Sequence, residues 1–347
     1  MLASNVERVP PVGYGGTELV VSMLTEELVR RGHDVTLFGS GDSETSGKLV
    51  SVTPEALRTM GEPARRWHAY DIRLLMELQK RRTEFDIVHN HMGWQALPYL
   101  EAMDCPVVTT NHNPVKDYAA PIYMVYAHLP FVAISQSYRE KNYPSELNYV
   151  ATIYNGIDLK QFEELNGNGH ERDYLLFIGR VCEDKGTGPA IQVAQRLGLP
   201  IVLAGKVDEA DRAYFEKHVQ PHLDPPKVSF VGEVDHHQKL ALYSKAIATV
   251  YPIAFDEPFG LVMAESLASG TPVMAFDRGS VREVLSDGET AVIGHSVDEL
   301  VDRFAQVRSL RAEDCMQRVR QMFSKERMVE HYEAIYRRLI AEKQWMR

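Results

Sequence analysis

Short apolar runs alternate with stretches of helical period along the whole chain, and this alternation restricts the fold more tightly than any other feature. Parallel strands need a crossover connection, usually a helix, so the pattern argues for parallel sheets covered by helices. Asp34-Val-Thr-Leu-Phe38, Asp86-Ile-Val-His89, Pro106-Val-Val-Thr-Thr110, Phe131-Val-Ala-Ile134 and Ala151-Thr-Ile-Tyr154 read as strands bounded by turn residues. Met1-Leu-Ala-Ser4 reads as the last part of a first strand. Thr17 to Arg31 sets Leu19, Val20, Met23, Leu24 and Leu28 on one helical face, and Gly32 ends it.

After residue 163 the pattern breaks and restarts. Glu163-Glu-Leu-Asn-Gly-Asn-Gly-His-Glu-Arg-Asp173 is polar and rich in Gly and Asn, which predicts a linker over 164–173. Beyond it Tyr174–Ile178, Ile201–Ala204, Val228–Val231, Ala248–Tyr251 and Pro272–Ala275 are again strand-like. A chain of 347 residues is too long for one ordinary core. The expected organisation is an N-terminal domain over 1–163 and a C-terminal domain over 174–324. An amphipathic helix from Lys325 to Met346 fills the tail, 325–347.

Composition narrows the function classes. The net charge of −10 disfavours nucleic acid and anionic lipid as partners of the whole surface. No apolar run approaches the roughly 18 residues that span a bilayer. Met1-Leu-Ala-Ser-Asn-Val-Glu-Arg8 has neither a basic start nor an apolar core, so no secretory leader is expected. Cys105, Cys182 and Cys315 lie far apart, with no zinc spacing and no disulfide framework, which suits the cytoplasm.

Several segments carry candidate chemistry. Asp256 to Val273 reads D-E-P-F-G-L-V-M-A-E-S-L-A-S-G-T-P-V, a loop opening a helix that Gly270 stops. Gly260 in the opening turn leaves N–H groups for an anion. Glu257 and Glu265 bracket that turn, which suits hydroxyls on a sugar or ribose; the plainer alternative makes Glu257 a helix cap and Glu265 a solvated helix face. Gly179-Arg180 follows a strand with Lys185-Gly186 beyond, a cation pair able to neutralise a diphosphate without a metal. The chain contains no D-x-D. The Gly13-Tyr-Gly-Gly16 loop opens a helix but is not the G-x-G-x-x-G of a dinucleotide site. His89 and His91 form an H-x-H with no third ligand nearby in sequence, so no metal is expected there; His236 and His237 read as surface. His112 follows a strand, at the sheet edge where α/β proteins bind ligands.

The Glu257-to-Glu265 string resembles the E-x7-E signature of glycosyltransferase family 4, the retaining GT-B enzymes. Gly13 to Glu18, Thr110-Asn-His-Asn-Pro114, Asn155-Gly-Ile-Asp158, Phe177 to Gly186 and Phe230-Val-Gly232 extend the resemblance, in the family's order, over nearly the whole chain. It implies two Rossmann-like doubly wound parallel-sheet domains facing across a cleft, with the last helix crossing back to the N-terminal domain. Family members begin the first strand several residues earlier. Gly15 and Gly16 are then expected to border the donor diphosphate and the acceptor. Arg180 and Lys185 would hold the diphosphate, and Gly232 and Glu233 would meet the nucleobase. Glu257 would contact the transferred sugar and Glu265 the ribose, with backbone N–H groups of Phe259, Gly260 and Leu261 near the sugar or phosphate. His112 would face the sugar.

The implied reaction is retaining transfer from a nucleotide-diphosphate-sugar, UDP- or GDP-linked, to a hydroxyl on a glycan, lipid or small molecule. The nucleotide-sugar is a substrate, and no cofactor and no metal is expected. A GT-B nucleotide-sugar epimerase and a non-catalytic nucleotide-sugar-binding protein are the alternatives. Pro63 to Arg82 mixes Arg65, Arg66, Arg73, Lys80, Arg81 and Arg82 with Trp67, Leu74, Leu75 and Leu78, and such a segment docks some family members on membranes. A solvated helix with its apolar face on the sheet is the favoured reading, because Asp71, Glu77 and Glu84 dilute the basic face. The oligomeric state is left open.

Overall fold

The computed structural model describes residues 1–13, 15–141, 144, 146–163 and 172–345. All of the expected linker but its last two residues falls outside the described residues, as does Tyr14 of the glycine loop. The chain divides into two compact units, one made of Met1–Gly156 with Lys325–Arg347 and the other of Ile157–Ser324.

The first unit carries β1 (Thr36–Phe38), β2 (Lys48–Val50), β3 (Val88–Asn90), β4 (Val107–Asn111), β5 (Phe131–Ala133) and β6 (Tyr149–Thr152). The order β3-β4-β5-β6 is parallel throughout, and β1 pairs in parallel with β2. Leu2 joins the two sets through single parallel bridges to Phe38 and Asn90. The expected first strand is thus present as one bridging residue, held by Leu2 N–H donating to the His89 carbonyl at 2.8 Å and Ala3 N–H to the Phe38 carbonyl at 2.9 Å.

Alternate residues of these strands feed opposite faces, as the pleat requires. Phe38 and Val88 pack with Leu74, Leu75 and Leu78 of the Trp67–Lys80 helix, while Leu37 packs with Val21 of the Gly16–Arg30 helix. Leu74, Leu75 and Leu78 of the 67–80 helix are therefore spent on the core, while Ile72, Met76 and the cations Arg65, Arg66, Arg73, Lys80 and Arg82 are exposed.

The second unit carries β7 (Tyr174–Ile178), β8 (Ile201–Ala204), β9 (Val228–Gly232), β10 (Ala246–Tyr251), β11 (Val273–Phe276) and β12 (Ala291–Gly294). Their order is β12-β11-β10-β7-β8-β9, all parallel. Leu175 and Phe177 enter one core and Leu176 and Ile178 the other. Both faces are buried, so the strands read as unbroken apolar runs. The Thr187–Leu197 helix covers the first face with Ala190, Ile191, Val193 and Ala194, and Tyr243 of the His236–Lys245 helix covers the second.

The ends of this unit lie together. Ile157 forms a parallel bridge with Ser324 and donates its N–H to the Phe323 carbonyl at 2.7 Å. In the first unit Gly156 lies against the start of the Lys325–Trp345 helix so closely that a Cβ on it would stand 2.6 Å from the Lys325 Cα.

Candidate functional site

Strand order decides where a ligand can sit. In the second unit β7 and β10 are neighbours, yet the chain leaves β7 toward β8 and leaves β10 toward β11. The loops after these strands diverge, opening the crevice where doubly wound sheets bind ligands. The loop after β7 carries Gly179, Arg180, Lys185 and Gly186, and that after β10 carries Phe255, Glu257 and Gly260.

The two loops are tied together. Ala254 N–H donates to the Asp184 carbonyl at 2.8 Å. Gly186 sits at φ 77°, where a Cβ would meet the Pro252 carbonyl oxygen at 2.0 Å, so only glycine allows this approach. Lys185 Nζ donates to Glu257 Oε2 at 2.9 Å, and the Tyr251 hydroxyl donates to the same oxygen at 2.5 Å. The ammonium also stands 4.7 Å from the Phe255 ring centre, within cation–π range. The Glu257 side chain is 10% exposed and that of Lys185 18%, which suits charges that cannot be left unpaired. A Cβ on Gly279, at φ 59°, would strike the Glu257 backbone N at 2.3 Å.

Glu257 is not the helix cap of the plainer reading. The helix runs Leu261–Ala268, its N-cap is Gly260 at φ 78°, and no side chain caps it. Phe259 is buried edge-on to Phe323, and its carbonyl accepts from the Ser280 hydroxyl at 2.9 Å. Nor is Glu265 on a solvated face: its side chain is 6% exposed. Lys239 donates to Oε1 at 2.5 Å and the Tyr243 hydroxyl to Oε2 at 3.1 Å. Burial and the Glu265 charge together push the Tyr243 phenol well above its ordinary range, so it stays a donor.

The two expected diphosphate cations face different acids. Arg180, half-exposed, stands 3.5 Å from Asp211 and 3.9 Å from Asp208, whose other partner is Lys206 at 2.9 Å. Gly232 ends β9 at φ 76°, with open space where a Cβ would be, and Glu233 beside it is exposed. His237 is exposed, whereas His236, read from sequence as surface, is half-buried, edge-on to Phe162 at 6.5 Å. Packing against Phe162 lies beyond any local pattern.

In the first unit the switch point falls between Leu2 and β3. Gly15 is the N-cap of the Gly16–Arg30 helix, and a Cβ there would stand 2.7 Å from the Pro11 Cβ. Gly16 begins that helix, and Glu18 lies in its first turn with its carboxyl pushed up by burial. His91 follows β3 and His112 follows β4. His91 Nδ1 and His112 Nε2 are 2.8 Å apart, and the His89 ring centre is 3.9 Å from that of His91. Burial holds His112 down at about 4, and burial first, then neighbouring charge, holds His89 and His91 well below the ordinary imidazole range. Among the described residues no group of three or more His, Cys, Asp or Glu is placed to hold a metal ion, and no helix is long and apolar enough to cross a membrane.

Lys239, Tyr243, Tyr251 and the contact of His91 with His112 were not anticipated from sequence. The one signal available was the Asp235-x-x-Gln238 capping box, which fixes the start of the helix that carries Lys239.

Known proteins resemble the chain over most of its length. Residues 14–161 match the family described as Glycosyltransferase Family 4, and residues 160–324 match Glycosyl transferases group 1. A glycogen synthase of Mycobacterium tuberculosis is 27% identical, aligned over 82% of this chain and 79% of its own. Sucrose-phosphate synthase from Thermosynechococcus elongatus superposes with a TM-score of 0.80 at 20% identity, over 98% of both chains. Anabaena HepE, solved in complex with UDP and glucose, superposes at 0.72 and 17% identity over 96% of this chain and 97% of its own. The fold is GT-B, with two Rossmann-like domains.

Proposed function

The chain belongs to the glycosyltransferases of family 4, with their group 1 domain, and from that premise we propose that it moves a sugar from a nucleotide-diphosphate-sugar to a hydroxyl acceptor with retention of anomeric configuration. The observation that carries the reading is the pair of buried carboxylates, Glu257 and Glu265, each held by a lysine and a tyrosine hydroxyl. Glu257 lies in the loop at the switch point and Glu265 on the helix that follows it. A carboxylate offers about four lone-pair sites, so each acid retains capacity for sugar or ribose hydroxyls.

In this reading Lys185 and Arg180 neutralise the leaving diphosphate, together with the opening N–H groups of the Leu261–Ala268 helix. Gly232 and Glu233 border the base, Gly15 and Gly16 the diphosphate and acceptor, and the His112 imidazole meets the transferred sugar. No residue acts as covalent nucleophile. The leaving phosphate takes the acceptor proton, and the protein supplies position and charge. The donor is UDP- or GDP-linked, the acceptor a glycan, lipid or small molecule, and the enzyme works without a metal, in the cytoplasm. HepE in complex with UDP and glucose supports the donor class.

A thermal-shift screen against UDP, GDP, ADP and dTDP tests the reading, because a ligand of the native state raises its melting point. The expected result is a shift with UDP or GDP, followed by an α-linked product from an α-linked donor in a proton NMR assay. No shift with any of the four overturns it.

A further inference from the structure

We propose that His91 is a positioning residue that fixes the tautomer of His112, so that His112 carries its hydrogen on Nδ1. His91 Nε2 is buried and has no hydrogen-bond partner. The other nitrogen, Nδ1, is 2.8 Å from His112 Nε2. Two facing ring nitrogens make a hydrogen bond only when one carries a hydrogen and the other a lone pair.

That leaves two arrangements of neutral rings. If His112 donated from Nε2, the hydrogen of His91 would sit on Nε2, a buried N–H with no acceptor. If His91 donates from Nδ1, its orphan is a bare lone pair. An unpaired buried donor is the rarer and costlier defect. The second arrangement follows: His91 Nδ1–H donates to His112 Nε2, and His112 bears its hydrogen on Nδ1. Burial keeps all three imidazoles of the cluster neutral near pH 7.

His91 is itself held from behind. His89 packs on it at 3.9 Å between ring centres. Both nitrogens of His89 are engaged, Nδ1 with the Tyr336 hydroxyl at 2.6 Å and Nε2 with Thr110 Oγ1 at 2.8 Å. Thr110 Oγ1 in turn lies 3.0 Å from the Tyr332 hydroxyl. The Lys325–Trp345 helix thus sets His89, His89 supports the His91 ring, and His91 orders the hydrogen on His112. Of the two histidines of the H-x-H, His89 braces by packing and His91 by a hydrogen bond.

The tautomer follows from the geometry and the neutrality of the rings; its weight in catalysis rests on the reading of His112 as the imidazole at the transferred sugar. With Nε2 committed, the ring offers a single donor, Nδ1–H, to a sugar hydroxyl or ring oxygen.

The test uses the full chain labelled with ¹⁵N-histidine and long-range ¹H–¹⁵N correlation at pH 7. The expected spectrum gives His112 a pyrrole-type Nδ1 and a pyridine-type Nε2, assigned by loss of the signals in His112→Gln. His91→Ala is expected to move His112 toward the Nε2–H form that an unconstrained histidine side chain prefers. His91→Asn, whose amide can donate from the place of Nδ1, is expected to restore Nδ1–H. A hydrogen on Nε2 of His112 in the unmutated protein overturns the proposal whether or not any variant folds, and so does an unchanged tautomer in a folded His91→Ala. Turnover is read separately: His91→Ala lowers kcat about tenfold or more, with nucleoside diphosphate affinity kept, and His91→Asn recovers it. Tautomer changes without any effect on transfer would remove His112 from the proposed reaction and leave the tautomer assignment standing.

Discussion

Lys185 and Glu257, 72 residues apart in the chain, are bound to each other at 2.9 Å. The cation proposed for the diphosphate and the carboxylate proposed for the sugar therefore hold one another in place. A donor spanning both, as proposed, would draw on an ion pair already desolvated and braced by Tyr251, so little reorganisation would remain when the substrate enters.

Lys185→Ala is expected to weaken nucleoside diphosphate binding by roughly tenfold, the scale of one charge-assisted hydrogen bond. The loss should shrink at high salt, because the contact is Coulombic. Calorimetric titration at low and high ionic strength checks it; unchanged affinity at low salt counts against the assignment.

The two acids should divide their labour. Glu265→Gln is expected to weaken free diphosphate and sugar donor alike, whereas Glu257→Gln keeps diphosphate affinity and loses roughly tenfold or more in kcat. Each change strips a lysine of its buried partner, Lys239 or Lys185, so circular dichroism must first show a folded protein. Equal loss of diphosphate affinity in both variants refutes the division.

Transfer should survive chelation. The charge proposed to neutralise the leaving diphosphate is that of the Lys185 and Arg180 side chains. Activity abolished by EDTA and restored by magnesium or manganese would contradict the expectation.

Gly279→Ala should destabilise by about 2 kcal/mol or more, because a left-handed alanine is strained and its Cβ would fall 2.3 Å from the Glu257 backbone N. Gly288 also has a positive φ, 79°, but nothing within 4 Å of its Cβ position. Gly288→Ala should therefore cost only the conformational part, about 1 kcal/mol. Denaturant melts of the two variants separate close approach from backbone strain.

Acid should loosen the first unit through its buried imidazoles. The His112 pKa of about 4 lies below the unfolded value near 6.5. Between those values the unfolded chain binds more protons, so stability falls as pH drops from about 6.5 to 4. His89 and His91 shift in the same direction. Melting temperatures from pH 7 to 4.5 should fall, with a shallower slope in His112→Gln; a flat wild-type profile excludes the effect.

Some of this could be read in the sequence, and the reasons differ by element. β7 and β8 coincide with the predicted runs because burial on both faces leaves no polar residue to blur their ends. β2 escaped because Lys48-Leu-Val50 is a short edge strand with no fully buried residue. β12, Ala291–Gly294, is wholly buried, but four small or branched residues among turns carry little period to detect. At the site, the type and order of Glu257, Glu265, Lys185 and His112 were legible. Their partners were not. Lys239 meets Glu265 from another helix 26 residues away. His91 meets His112 only because β3 and β4 pair in parallel with Asn90 opposite Thr109. Such contacts are set by strand order and register, which no local pattern encodes.

The bridge between Ile157 and Ser324 bears on how the chain finds this structure. The first unit is interrupted: its last helix, with the tyrosines that set His89, is separated from the rest by 157–324. Joining the pieces across an unfolded insert of that length would cost about 4–5 kcal/mol in loop-closure entropy. Once the second unit has folded, Ile157 and Ser324 are already side by side, and Gly156 and Lys325 emerge as neighbours. The inserted unit, continuous in sequence, can therefore form first and act as a clasp that delivers the final helix to its place. Weakening it should slow assembly of the histidine cluster in the other unit, a kinetic dependence between two parts that have separate cores.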